Sequence, residues 1–169
     1  MELHLVDRSS DLVREWERAF SQFPEVIIEL GDILEVAHTA LVSPANSYGY
    51  MNGGIDLAYR AFFGIEIEHA VQTKITQVAG PYLPVGRAIL VETGHARIPY
   101  LISAPTMFLP EPTNPDACER AMAAALDVAR LHGGKWAALF CPGLGTGVGQ
   151  VTARDAANAM VAAYRRGAT

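Results

Sequence analysis

Residues 41–56, LVSPANSYGYMNGGID, decide how the rest of the chain is read. The run begins as the end of a buried strand, Thr39-Ala40-Leu41-Val42. It breaks at Ser43-Pro44, because proline has no N–H to give to a sheet ladder. It then passes through Asn46, two tyrosines, Asn52, Gly53 and Gly54, and a helical pattern opens at Ile55-Asp56. Strand, glycine-containing loop and helix start is the order that places backbone N–H groups and polar side chains around a small anionic ligand. A second loop, Pro142-Gly143-Leu144-Gly145-Thr146-Gly147-Val148-Gly149, has the same setting. The expected design is two such loops facing one ligand.

Outward from this stretch, strands and helices alternate. Leu3-His4-Leu5 reads as a first strand, and Ser9-Ser10-Asp11 is a helix start whose apolar face is Leu12, Val13, Trp16 and Phe20, with Pro24 as the stop. Residues 26–30 form a second strand, followed at once by Gly31-Asp32-Ile33-Leu34. After the first loop, one helix runs from Ile55 to Gly64, and a second carries Ile67, Val71 and Ile75 at helical spacing. Strands follow at 88–91 and 100–103, joined by a turn through Gly94. Asn114-Pro115 opens a helix running to about His132, stopped by Gly133-Gly134, and a strand covers 136–141. Thr152-Ala153-Arg154-Asp155 approximates a capping box before the last helix. This alternation predicts one α/β domain over residues 1–169, a largely parallel buried sheet covered by helices on both faces.

Composition narrows the function classes. The 169 residues are 50% hydrophobic and 18% charged, enough to build a sizeable core and contrary to disorder. The net charge of −5 argues against a groove that grips nucleic-acid backbone. It leaves room for a small anion held by backbone N–H groups. Cys118 and Cys141 make no disulfide framework, and the five histidines are dispersed without metal-ligand spacing, so neither a metal nor a cofactor is expected. MELHLVD lacks the basic and apolar regions of a signal peptide, and no apolar run would span a bilayer. The expectation is a soluble, cytoplasmic protein.

Each candidate residue carries two readings. The 142–149 loop is either a flexible surface loop or a tract of donors suited to a diphosphate; it is neither a Walker A loop nor a G-x-G-x-x-G turn. Asp56 either complements its own helix dipole or aims a carboxylate at the loop ligand, where it orients a water. Asn46 is either a turn residue or a partner for a sugar hydroxyl. Asp32 is either a turn aspartate or an acceptor for an exocyclic amine. Tyr48 and Tyr50 either pack on the core or cover a ribose or base. His95, Cys118 and Cys141 read as structural.

Gly31-Asp32-Ile33, Val42-Ser43-Pro44-Ala45-Asn46, Gly53-Gly54-Ile55-Asp56, Pro84-Val85-Gly86-Arg87-Ala88 and Gly145-Thr146-Gly147-Val148-Gly149, in that order, resemble the motifs of macro domains. The resemblance implies a three-layer α/β/α sandwich with a mixed, mostly parallel central sheet, and ADP-ribose as ligand. Carried over, Asp32 accepts from the adenine amine beside the Ile33 backbone, and Asn46 holds the distal ribose. Ala45, Gly53, Gly54 and Ile55 lie against the ligand, and Gly145, Thr146, Gly147, Val148 and Gly149 cradle the diphosphate. Asp56, with Asn46, matches the catalytic position of the hydrolytic branch, in which a water attacks the anomeric carbon.

The resemblance therefore implies hydrolysis of an ADP-ribosyl linkage, of the mono-ADP-ribosyl hydrolase or O-acetyl-ADP-ribose deacetylase type. The partner is ADP-ribose or an ADP-ribosylated macromolecule; a nucleic acid enters only as such a substrate. The chain departs from the family pattern at Ser43-Pro44-Ala45-Asn46, where Asn-Ala-Ala-Asn is typical. It departs again at Gly149, where hydrolases often carry an aromatic that Tyr48 or Tyr50 could replace. Two alternatives stay open: a reader that binds ADP-ribose without turnover, and another nucleotide or nucleic-acid binder on the same fold.

Overall fold

Side-chain caps start three of the helices at the positions their sequences mark. Ser9 accepts from the Leu12 N–H at 3.3 Å, Asn114 from the Ala117 N–H at 2.9 Å with Pro115 in the first turn, and Thr152 Oγ1 from the Asp155 N–H at 3.2 Å. The computed structural model describes residues 1–132 and 136–167. In chain order it contains β1 (Glu2–Asp7), α1 (Ser10–Ala19), β2 (Ile27–Leu30), α2 (Ile33–Val36), β3 (Ala40–Ser43) and α3 (Gly54–Phe63). There follow α4 (Glu66–Val78), β4 (Ile89–Glu92), β5 (Tyr100–Ser103), α5 (Pro115–Leu131), β6 (Ala138–Cys141) and α6 (Ala153–Gly167). The Gly133-Gly134 stop lies outside the described residues.

The differences from expectation are local. Thr39 has φ 65°, which no extended strand accepts, so β3 begins at Ala40. It runs one residue further than expected, because Ser43 still pairs with Ser103 before Pro44 ends the ladder. The short helix α2 was not expected; Asp32 caps it by accepting from the Leu34 N–H at 3.0 Å. The first helix ends at Ala19, well before Pro24.

The six strands form one sheet in the order β2-β1-β6-β3-β5-β4. Every pairing is parallel except β4 with β5, so the sheet is mixed and mostly parallel. The central strands β3 and β6 are buried at every residue, and their side chains alternate between two cores. Val42, Leu139 and Cys141 face Leu12 and Trp16 of α1, Met122 of α5 and Met160 of α6. Leu41 and Phe140 face Ile33 of α2, Tyr59 of α3 and Ile67, Val71 and Ile75 of α4. The result is a three-layer α/β/α sandwich. Because β1, β6 and β3 are neighbours and parallel, Asp7, Cys141 and Ser43 all lie at the carboxyl end of the sheet, and their loops meet there.

Trp16 locks α1 against α6: it is fully buried, and its Nε1 donates to Met160 Sδ at 3.4 Å. Trp16→Ala is expected to lower the unfolding free energy by about 3–5 kcal/mol, read as a reduced urea midpoint at unchanged slope.

Candidate functional site

A cavity of about 470 Å³ opens beyond the carboxyl ends of β1, β3 and β6. Both glycine-containing loops line it, together with the end of β1 and residues 31–34.

The wall at the end of β1 is built by two acids and one arginine. Asp7 accepts from the Ser9 N–H at 2.9 Å and, through Oδ2, from the Gly143 N–H at 3.1 Å, so it ties the second loop to the first strand. Asp32 caps α2 with Oδ1 and pairs through Oδ2 with Arg8. Burial pushes the Asp32 carboxyl up, but the Leu34 N–H and Arg8 together outweigh it and hold it below the usual carboxylate range. Asp7 and Arg8 were not singled out from sequence; an aspartate and an arginine at a strand end gave the only available signal.

The first loop is folded by Asn46. Its Nδ2 donates to the Tyr50 carbonyl at 2.8 Å, and its Oδ1 accepts from the Tyr48 and Tyr50 N–H groups at 3.1 and 3.2 Å. Asn46 thus does the work of a turn residue while remaining on the cavity wall. Glu68 of α4 braces the same loop, accepting from the Met51 N–H at 2.6 Å. Gly53, Gly54 and Ile55 line the cavity, and Gly54 sits at φ +57°, where a side chain would strain the backbone. Ala45 is buried and does not line the cavity.

Asp56 follows in the first turn of α3, yet it caps nothing. Gly53 is the N-cap, and no side chain bonds the helix N–H groups. Asp56 is instead 6% exposed, lines the cavity, and accepts from Ser43 Oγ at 2.6 Å. Burial pushes its carboxyl up to about 7, against the opposing pull of the Ser43 hydroxyl. A carboxyl poised near neutrality on a cavity wall is suited to moving or orienting a proton.

The second loop is not a flexible surface segment. The Val151 N–H donates to the Gly145 carbonyl at 2.9 Å, the Gln150 N–H to the Gly147 carbonyl at 3.1 Å, and the Thr113 N–H to the Gly149 carbonyl at 2.9 Å. Close packing demands its glycines. A Cβ on Gly145, which sits at φ +74°, would collide with Cys118 Sγ, and one on Gly149 would stand 2.6 Å from the Gly145 carbonyl oxygen. An aromatic at 149 therefore has no room in this backbone. Gly147 alone faces open space. Gly145, Thr146, Gly147, Val148 and Gly149 all line the cavity, and Val148 Cγ2 lies near Gly53 and Gly54, so the two loops meet.

Tyr50 is exposed at the cavity lip, whereas Tyr48 does not line it. Tyr48 stacks behind Tyr50, with ring centroids 5.9 Å apart, and packs edge-on against Phe108 at 5.3 Å. Thr106, Met107 and Pro110 also reach the cavity, from a proline-rich segment that sequence presented only as a loop. Asn46 and Met107 form an isolated bridge that brings it there. The remaining candidates lie elsewhere: Cys118 donates to the Leu144 carbonyl, and burial pushes its thiol up to about 11 and that of Cys141 higher still. His95 packs against Phe62. Among the described residues, no group of three His, Cys, Asp or Glu is placed to hold a metal ion, and no helix is long and apolar enough to cross a membrane.

Residues 42–160 match the family model of the Macro domain. An uncharacterised protein of Aquifex aeolicus is 36% identical over 143 residues, covering 84% of this chain and 82% of its own. The macrodomain of Mycobacterium tuberculosis DarG superposes with a TM-score of 0.68 at 25% identity, over 80% of this chain and 87% of that one. A variant of the Oceanobacillus iheyensis macrodomain with ADPR gives a TM-score of 0.69 at 20% identity, over 80% and 74%. The matched region includes both loops, while Asp7, Arg8 and Asp32 precede it.

Two expectations follow from this geometry. Gly145→Ala should destabilise the protein by about 2–3 kcal/mol, whereas Gly147→Ala should stay within about 0.5 kcal/mol, both read by denaturant unfolding. Asp56 also makes stability pH-dependent. Its folded-state pKa lies above the unfolded value, so its contribution is full below pH 3.8 and is lost as pH rises through about 7. Asp56→Asn should flatten the fall in stability between those two values, measured as unfolding free energy against pH.

Proposed function

The chain belongs to the macro domain family, and from that premise we propose that it binds ADP-ribose in the cavity and hydrolyses an ADP-ribosyl linkage. The observation that carries the proposal is Asp56: a buried carboxyl, poised near neutrality, on the wall of a cavity that is also lined by a hydrogen-bonded tract of glycines.

The layout follows the donors present. The backbone of 145–149 offers N–H groups to the diphosphate without needing a cation. Asp32 and Ile33 take the adenine end. The Asp32 carboxylate already serves Leu34 and Arg8, and the adenine amine uses a remaining lone pair, since a carboxylate accepts at about four sites. The distal ribose then falls between Asn46, Gly53 and Asp56, with Tyr50 closing the lip.

In the reaction, ionised Asp56 orients a water and takes one of its protons. The water oxygen bonds to the anomeric carbon as the bond from that carbon to the acceptor breaks. The acceptor leaves with the electron pair and receives the proton that Asp56 took, which returns Asp56 to its ionised form, and ADP-ribose with a free anomeric hydroxyl remains. Placement by the two loops and proton transfer by Asp56 supply the rate.

A second reading, a reader that binds without turnover, is favoured by one observation. Gly149 admits no side chain, so the ribose lacks an aromatic partner from that loop.

Incubation with a mono-ADP-ribosylated protein, followed by release of free ADP-ribose, separates the two. Hydrolysis predicts release by wild type that rises with pH through about 7, the folded-state value of Asp56, and falls by about 10²-fold or more in Asp56→Ala. Equal release by wild type and Asp56→Ala would remove the role given to Asp56. Saturable ADP-ribose binding by calorimetry with no release would establish the reader.

A further inference from the structure

Ser43 stands at the last position of β3, where the ladder to β5 ends, and Asp56 stands in the first turn of α3. Both are buried, and the hydroxyl donates to Asp56 Oδ1 at 2.6 Å, a length typical of an O–H donor on a carboxylate. Asp56 Oδ2 has no hydrogen-bond partner, but it is not a sealed orphan: the one fully buried, unpartnered side-chain oxygen among the described residues is Ser103 Oγ. Asp56 lines the cavity, and Oδ2 is the oxygen that Ser43 leaves free. No backbone N–H of the helix start supplies an alternative donor to this carboxylate.

We propose that Ser43 is the positioning residue for Asp56: by engaging Oδ1 it fixes the carboxyl rotamer, presents Oδ2 to the cavity and favours the ionised form. For its effect on turnover this rests on the hydrolytic reading above; for the state of Asp56 it does not.

The surroundings leave that task to Ser43. Tyr59 lies one turn along α3 from Asp56, and the groups whose charge reaches it are Asp56 itself, Cys141 at the end of β6, Asp7 at the end of β1 and Asp32 before α2. All are acids, so none stabilises a second negative charge. Arg60 on α3 is turned to Glu68 and Arg8 to Asp32. From β5 comes Ser103, which pairs in register with Ser43 and whose hydroxyl makes no hydrogen bond. The second loop contributes no ionisable side chain. Burial raises the Asp56 carboxyl and the Ser43 hydroxyl is the single opposing influence.

Ser103 supplies the control. Ser103→Ala deletes a buried hydroxyl from the neighbouring strand, as Ser43→Ala does, without removing a donor to Asp56. The experiment follows the Asp56 carboxyl carbon by 13C NMR against pH in wild type, Ser43→Ala and Ser103→Ala, alongside the pH profile of ADP-ribose release. Wild type and Ser103→Ala should titrate together, with Ser43→Ala displaced to alkaline pH by about one pH unit. The release profile of Ser43→Ala should move by the same amount and in the same direction. Should the alanine variant fold poorly, the nearly isosteric Ser43→Cys, a weak donor, should shift the same way. A Ser43 variant that titrates like wild type, or a Ser103→Ala shift as large as that of Ser43→Ala, overturns the proposal. If wild type binds ADP-ribose but releases none, hydrolysis fails while the carboxyl titration still decides the role of Ser43.

Discussion

The burial of one carboxyl group governs the construction of this site. Asp56 is removed from water, and desolvation alone drives it toward the neutral form. Keeping it there requires the fold to hold the first loop in a fixed path, since a loop free to move would let the carboxyl out to solvent. Asn46 closes the turn with three hydrogen bonds, Glu68 pins the Met51 N–H, and Gly54 adopts a left-handed backbone just before the helix. Tyr59, one turn further along α3, anchors the helix by donating its hydroxyl hydrogen to the Val42 carbonyl at 3.2 Å. Each of these interactions places Asp56 beneath the end of β3, and none depends on a ligand.

The second loop is stiff for a different reason. Its backbone runs so close to Leu12, Cys118 and Thr113 that side chains do not fit at Gly143, Gly145 or Gly149. The same closeness lets Asp7 reach the Gly143 N–H and stitches the loop to the neighbouring strand. Gly149 follows from that packing. The aromatic ring at the lip comes from Tyr50 of the facing loop, buttressed by Tyr48 and, behind it, Phe108 and Tyr82.

What could be read in the sequence was what short-range chemistry dictates. Ser9, Asn114 and Thr152 mark helix starts because a cap acts within three residues, and the apolar spacing of Leu12, Val13 and Trp16 reports the face that α1 buries. The ordered loop motifs likewise pointed to macro domains, because each is a contiguous piece of chain. The two readings of Asp56 could not be separated that way. A first-turn aspartate looks alike whether it caps, complements a dipole or turns inward; only the position of Ser43, thirteen residues earlier, distinguishes them. Arg8, Thr106 and the separate placements of Tyr48 and Tyr50 were hidden for the same reason: their meaning depends on segments distant in sequence.

The sequence alone determined the alternation of strands and helices, the three-layer class, the two loops and the small set of residues able to carry chemistry. These rest on propensity, caps and hydrophobic period, which operate over a few residues. Tertiary structure decided the rest. It set the order of β1, β6 and β3, and so brought Asp7, Cys141 and Ser43 together at the carboxyl end of the sheet. It tied residues 142–149 down by hydrogen bonds and close packing and turned Asp56 away from its own helix end toward Ser43 and the cavity. The physical reason is that desolvation and close packing are properties of what surrounds a group, and those surroundings come from residues that the sequence keeps far apart.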